Sequence, residues 1–275
     1  MRVPKSYRAI RRALVAGIAI TTVSSFGPVA AQSRVVDKGG MEYARLPVGS
    51  FQMGCASGDT CEPDESPAHE VRFARSFLIG KTEVSVSAYA KFAKATNREM
   101  PAPPEFNPDW KQTDQPIVRL KWEDAAAYCA WSGGRLPSEA EWEYASRGGL
   151  AGKKFPWGDD PPACRPGAPN GARFDDEAAC SATPGAPSMV GVYGRNAYGL
   201  ADLTGNAWEW VQDNHHETYE GAPSDGASWI GPGLHVLRGG SWIIKVKDLR
   251  LSNRYRDTSG QRYLNSGVRC ARDTN

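Results

Sequence analysis

Gly134-Arg135-Leu136-Pro137-Ser138-Glu139-Ala140-Glu141-Trp142-Glu143-Tyr144-Ala145 is the stretch from which the rest of the chain can be read. Ser138 followed three residues later by Glu141 is a capping box: the serine hydroxyl takes the Glu141 N–H, and the glutamate reaches back to the serine N–H. Trp142 and Ala145 follow on the helix, Gly148-Gly149 stops it, and Leu136 stands ahead of the cap where it can staple onto Trp142. Toward the N-terminus, Glu123–Trp131 carries Cys129 and ends at Gly133-Gly134, which predicts a second helix. Val86–Thr96 predicts another, with Ser85 as N-cap, Tyr89, Phe92 and Ala93 on one face, and Asn97 as the stop. Farther out, alternating apolar residues predict strands within residues 41–54 about a Pro-Val-Gly-Ser turn, and again at His69–Phe73 and Phe77–Ile79.

Beyond Gly149 the helical period disappears. Short strand-like pieces stand at Ala207–Val211, His235–Leu237, Ser241–Ile244 and Gly267–Arg269 in a background of Gly, Pro, Asn, Asp and Trp. Coil of this length inside a folded unit has to be clamped by disulfides, ions or buried aromatics. Five of the nine tryptophans lie in this half and fit that need. The class is α+β with high coil content, and no linker divides residues 32–275.

The first residues read as a leader. Met1–Arg12 holds five basic residues and no acid, Ala13–Val23 is apolar, and Val29-Ala30-Ala31 offers a small-residue cleavage site before Gln32. Arg11-Arg12 also suits a twin-arginine signal, so Sec and twin-arginine export both stay open. Cleavage leaves 28 basic against 31 acidic residues and turns the formal charge from +2 to −3. A mildly acidic chain of this kind points to neither nucleic acid nor an anionic membrane as partner. The expected location is periplasmic or secreted, with no membrane span, as a monomer.

All six cysteines fall after the leader: Cys55, Cys61, Cys129, Cys164, Cys180 and Cys270. An even number in an exported chain reads as disulfides. Locality pairs Cys55 with Cys61 and Cys164 with Cys180, leaving Cys129 for Cys270. No CxxC pair occurs. The four histidines (His69, His215, His216 and His235) show neither HxxxH nor HExxH spacing, and His215-His216 is expected at the surface. There is no G-x-S-x-G elbow or phosphate loop.

A series of motifs runs in order through residues 40–272: Ile117–Ala125 into Ala127-Tyr128-Cys129-Ala130-Trp131, the Gly134–Ala145 stretch, Phe155-Pro156-Trp157-Gly158, Asn196–Leu200, Gly205-Asn206-Ala207-Trp208-Glu209-Trp210, Arg238-Gly239-Gly240-Ser241-Trp242, Arg254-Tyr255-Arg256 and Gly267-Val268-Arg269-Cys270. This series resembles the formylglycine-generating-enzyme, or sulfatase-modifying-factor, family. The resemblance implies a C-type-lectin-related fold and a core disulfide between the positions of Cys129 and Cys270. It implies calcium held by the side chains of Asp202 and Glu209 and the carbonyls of Gly205 and Ala207, with a second site near Asn170 left undetermined. It also implies a substrate cleft framed by Ser241, Trp242, Arg254, Arg256, Asn265 and Arg269.

One departure bears on activity. Typical members bind copper(I) through two cysteines shortly after the Arg-Gly-Gly-Ser motif, soft thiolates suiting that metal. Here residues 241–254 contain no cysteine, and the metal positions fall on Ile244 and on Leu249 or Ser252. Copper is therefore not expected. The resemblance then leaves an oxidative tailoring enzyme of periplasmic type, as in pyoverdine-type siderophore oxidation, acting on a peptide or small molecule. The alternative is a non-catalytic, lectin-like binding or assembly module for a protein partner.

Overall fold

The computed structural model describes residues 34–274, apart from Ser57, 177–179, 181–184 and Ser259. The leader Met1–Ala31 lies outside the described residues. The chain opens with β1 (Val35–Val36), β2 (Glu42–Leu46), β3 (Gly49–Met53), β4 (His69–Phe73) and β5 (Phe77–Gly80). Three helices follow: α1 (Val86–Thr96), α2 (Trp122–Ser132) and α3 (Glu139–Arg147). After α3, residues 148–207 hold no helix or strand among the described residues, and the chain closes with β6 (Trp208–Asn214), β7 (His235–Arg238), β8 (Arg254–Asp257), β9 (Ser266–Val268) and β10 (Ala271–Asp273).

Local chemistry sets the helix ends. Ser85 Oγ accepts the Ala88 N–H at the start of α1, and Asn97 closes it in the left-handed region at φ 53°. Gly133 ends α2 at φ 95°. In α3 both halves of the capping box are made: Ser138 Oγ accepts from Glu141 N at 3.0 Å, and Glu141 Oε2 accepts from Ser138 N at 2.8 Å. Leu136 does not staple onto Trp142. It packs in the largest core cluster with Trp208 and Trp210, whereas Trp142 sits with Val211, Val236 and Leu251.

The strands form a four-stranded sheet in the order β1-β2-β5-β10, a hairpin of β3 and β4, and a second four-stranded sheet in the order β8-β7-β6-β9. β6 and β9 are parallel, the other pairs antiparallel. Several strand assignments differ from the sequence reading, β1 and β10 among them. Ser241–Ile244 is a turn, not a strand, because Gly239 and Gly240 take φ of 95° and 79° and Ile244 N closes back onto Ser241 O. The polar run Arg254–Asp257 is a strand, paired along its length with β7. The chain is disulfide-bonded, Cys55 to Cys61, Cys129 to Cys270 and Cys164 to Cys180, with no free cysteine among the described residues. No helix among the described residues is long and apolar enough to cross a membrane.

Candidate functional site

The turn leading into β6 is built for close packing. Asp202 and Asn206 adopt left-handed backbone at φ 58° and 60°. Between them Gly205, at φ 76°, passes so near Arg173 that a Cβ would lie 2.0 Å from its carbonyl oxygen, so only glycine fits. Asn206 is the hub. Its N–H donates to Arg173 O, its Oδ1 accepts from Ser188 N at 2.9 Å, its Nδ2 donates to Glu83 Oε1 at 2.9 Å, and its carbonyl accepts from Trp242 N at 3.0 Å.

Three carboxylates gather behind this turn. Glu209 on β6 takes the Arg269 guanidinium on both oxygens, at 2.8–3.1 Å, and the Trp142 indole N–H at 2.6 Å. Asp202 accepts the N–H groups of Gly191 and Tyr193. Glu83, fully buried between β5 and α1, has one oxygen on Asn206 and the other, Oε2, without a hydrogen-bond partner. Burial raises the Glu83 carboxyl well above its ordinary value, and the negative charges of Asp202 and Glu209 raise it further. Burial raises Asp202 too, against the pull of the Gly191 N–H and Arg269. Arg269 is the guanidinium committed to this group, and it also donates to Gly80 O and Ala201 O. The expected calcium side chains, Asp202 and Glu209, therefore share one buried cluster with Glu83, a residue the sequence reading missed.

Ser241 and Asn265 form a second locus. Asn265 Nδ2 donates to Ser241 Oγ at 2.8 Å, both residues being buried. The neighbouring Trp242 ring meets Phe106 edge-on at 5.6 Å and lies under the Arg173 guanidinium at 5.9 Å, while its indole N–H is buried with no partner. Beyond Ser241, Ile244, Leu249 and Ser252 are apolar or already engaged. Ile244 packs against two core clusters, Leu249 is 1% exposed among Phe155, Phe174 and Cys180, and Ser252 Oγ accepts from Arg250 at 3.0 Å.

Arg254 and Arg256 belong to a third locus. Arg254 is buried, with Nε and Nη2 on the two oxygens of Glu139 at 2.7 and 3.0 Å, and its Nη1 donates to the carbonyls of Asp64 and His216. Glu139 also holds Arg238 at 2.9 Å, and Arg238 passes on to Glu143, which holds Arg147. Burial alone would raise the Glu139 carboxyl, but Arg254 and Arg238 outweigh it and hold it below its ordinary value. Next to Glu139, Asp213 accepts two backbone N–H groups, yet burial and the Glu139 charge push it up to about 7. Arg256 lies at the rim, 3.3 Å from both Asp64 and His215.

Of the six expected cleft residues, hydrogen bonding joins Ser241 to Asn265 with Trp242 beside them. Arg254 and Arg256 stand with Asp64 and Glu139, and Arg269 stands with Glu209. The adjacent histidines are not surface groups. His215 Nε2 lies 2.9 Å from Asp64 with its side chain 4% exposed, and His216 stacks on Trp229 with ring centroids 3.6 Å apart. Just past the end of β6 the two successive rings go to different partners, which adjacency in sequence does not reveal.

Residues 31–274 match the family model described as sulfatase-modifying factor enzyme 1-like domain. The chain is 33% identical over 285 aligned positions to a formylglycine-generating enzyme of Streptomyces coelicolor, covering 83% of this chain and 88% of that protein. It is 37% identical to the inactive C-alpha-formylglycine-generating enzyme 2 of Mus musculus over 58% of this chain and 50% of that protein, so the match spans half of that relative's length. Among solved structures, PvdO from Pseudomonas aeruginosa superposes with a TM-score of 0.75 at 32% identity, over 88% of this chain and 98% of that one.

Proposed function

Since the chain belongs to the sulfatase-modifying factor enzyme 1-like family, we propose that it is an exported modifying enzyme of that family, carrying out oxidative tailoring of a peptide or small molecule without a copper thiolate pair. One observation carries this reading. The segment after Ser241 supplies no sulfur ligand, and all six cysteines are held in disulfides. Copper(I) needs soft ligands, and Ile244, Leu249 and Ser252 offer none. The Ser241–Asn265 hydrogen bond supports a polar locus beside Trp242 at the expected cleft. Export to a periplasmic or extracellular compartment is supported by the three disulfides, which persist under oxidising conditions.

The test is direct. Purified protein is incubated with a Cys-x-Pro-x-Arg peptide, copper, reductant and air, and the peptide is searched by mass spectrometry for the aldehyde. No conversion above a no-enzyme control is expected, whereas oxygen uptake is expected with the true substrate. Repeated turnover of the peptide would sink the reading and relocate the copper ligands.

The same reading assigns calcium to the turn before β6. Asp202 and Glu209 would hold it with the carbonyls of Gly205 and Ala207, oxygen donors of the kind a hard cation takes. In support, the Asp202 and Glu209 side chains are buried on the same short stretch of chain as Gly205 and Ala207, and Asp202 takes left-handed backbone there. Bound calcium would tie this turn together. A cation bound only by the native state raises stability by mass action, so chelator should lower the melting temperature and calcium restore it. Asp202→Asn, which keeps a residue tolerant of left-handed backbone and an oxygen donor but removes the charge, should weaken that response. Glu209 is the poorer probe, because its replacement also strands Arg269. A melting temperature indifferent to both chelator and calcium would remove calcium from the account.

A further inference from the structure

We propose that the Cys55–Cys61 bridge is a thiol–disulfide exchange site, opened by an external dithiol that attacks Cys55 and releases Cys61 as the thiolate. The three bridges differ in access. Cys129 is fully buried and its partner Cys270 is 2% exposed, while Cys180, the partner of Cys164, is 3% exposed. Cys55 and Cys61 are both partly exposed, in a loop whose Gly58 and Thr60 face water. The bridge also joins residues only 6 apart, so opening it restores little chain entropy and leaves the fold standing.

The two sulfurs have different surroundings. Arg250 Nη1 donates to Cys61 Sγ at 3.4 Å. Cys55 Sγ instead lies 3.5 Å from the Ala56 carbonyl oxygen and 4.0 Å from that of Asp59. A guanidinium N–H steadies a thiolate, whereas carbonyl oxygens oppose one. Arg250 also holds both oxygens of Glu65, so much of its charge is answered there, and the directed N–H is what distinguishes Cys61. A better-stabilised thiolate leaves faster, which directs attack to Cys55.

The exchange balances in two steps. A thiolate of the dithiol forms a bond to Cys55 Sγ as the Cys55–Cys61 bond breaks, and the electron pair departs on Cys61 Sγ. The second thiol of the reagent then attacks its own sulfur in the mixed disulfide and frees Cys55. Two electrons pass to the bridge, both cysteines end reduced, and the dithiol becomes a disulfide.

The loop also bears on the segment that follows Ser241. Asp59 pairs with Lys154 at 3.0 Å, the Lys154 carbonyl accepts the Leu251 N–H, and Arg250 donates to Ser252 Oγ as well as to Cys61. Opening the bridge loosens a clamp on residues 250–252.

The experiment treats the native disulfide-bonded protein with graded dithiothreitol, quenches with an alkylating agent and maps the labelled cysteines by mass spectrometry. Cys55 and Cys61 should be labelled at least about tenfold faster than the other four, and glutathione used in place of dithiothreitol should be trapped on Cys55. Cys55→Ser and Cys61→Ser each leave one thiol, and they decide the direction of attack if the mixed disulfide is too short-lived to trap. The Cys61 thiol should then react with alkylating agent at lower pH than the Cys55 thiol. Amide exchange at Leu251 should quicken once the bridge is open. Opening of Cys164–Cys180 at the same rate overturns the exchange site. Glutathione on Cys61, or a Cys55 thiol that ionises first, overturns the role of Arg250, and unchanged amide exchange overturns the clamp.

Discussion

Alanine at both Cys129 and Cys270 is expected to lower the free energy of unfolding by about 5 kcal/mol, against about 2 kcal/mol for the Cys55 and Cys61 pair, from the entropy of closing loops of such different length. The two bridges span 141 and 6 residues respectively. Cutting the long one releases a large part of the unfolded ensemble from constraint, while the short one closes a loop that is already local. Position adds to length. Cys129 lies in the middle of α2 and Cys270 between β9 and β10, both inside the largest hydrophobic cluster with Tyr128, Leu136 and Val268. Removing the sulfurs therefore also leaves a void among well-packed neighbours, which adds to the loss. Urea denaturation of the two double variants and wild type, under identical oxidising conditions, measures both numbers. Equal losses from the two pairs would show that native-state strain or residual denatured structure, rather than loop length, sets the stabilisation.

The helices were legible because their signals are local. Ser85, Asn97, Gly133 and the Ser138–Glu141 box act within a few residues of where they stand, and all appear where chain chemistry puts them. The disulfide-bonded α+β architecture was legible for a similar reason, since cysteine number and motif order need no long-range geometry. The failures were long-range. Arg254–Asp257 is polar throughout and carries no strand pattern; it becomes a strand because β7 offers an edge. Ser241–Ile244 has strand composition, but two glycines in left-handed backbone turn it. Within the site, Ser241 and Asn265 could be found from their motifs. Glu83, Asp64 and Asp213 could not, because each gains meaning from partners more than 60 residues away and none sits in a pattern that marks it as buried. The partners of the expected cleft arginines were illegible for the same reason: Arg254 and Arg269 have the composition of a carboxylate-binding site, and they place their guanidiniums on Glu139 and Glu209 inside the protein.

That internal spending makes Glu139→Gln the second substitution with a large expected effect. All nine residues of α3 are buried, including Glu139, Glu143 and Arg147, so the helix is not amphipathic in the usual sense. It is a rod of charge sealed inside the fold. Glu139 alone receives two hydrogen bonds from Arg254, one from Arg238 and one from the Tyr219 hydroxyl. Glutamine keeps the shape but removes the charge, and it presents an amide N–H₂ toward guanidinium donors. Arg238 retains Glu143, whereas Arg254 keeps only backbone carbonyls and the face of Tyr219. Breaking one side of a buried ion pair costs about 3–5 kcal/mol, most of it the penalty of the stranded partner. The Lys153–Asp159 pair, exposed on both sides, is the control, and Asp159→Asn should leave the unfolding transition where it is. The loss at Glu139 carries a pH signature. Its folded carboxyl is held below the ordinary value, so its contribution is fully present above the unfolded carboxylate range and fades as pH falls through the lower folded value. The gap between wild type and Glu139→Gln should therefore be widest near neutrality and close in acid, as wild type takes up the proton that the variant never binds. Unfolding free energies measured from pH 7 down to the onset of acid unfolding test this. A gap that stays constant with pH would mean that glutamine costs packing rather than charge, and that Arg254 finds its compensation elsewhere.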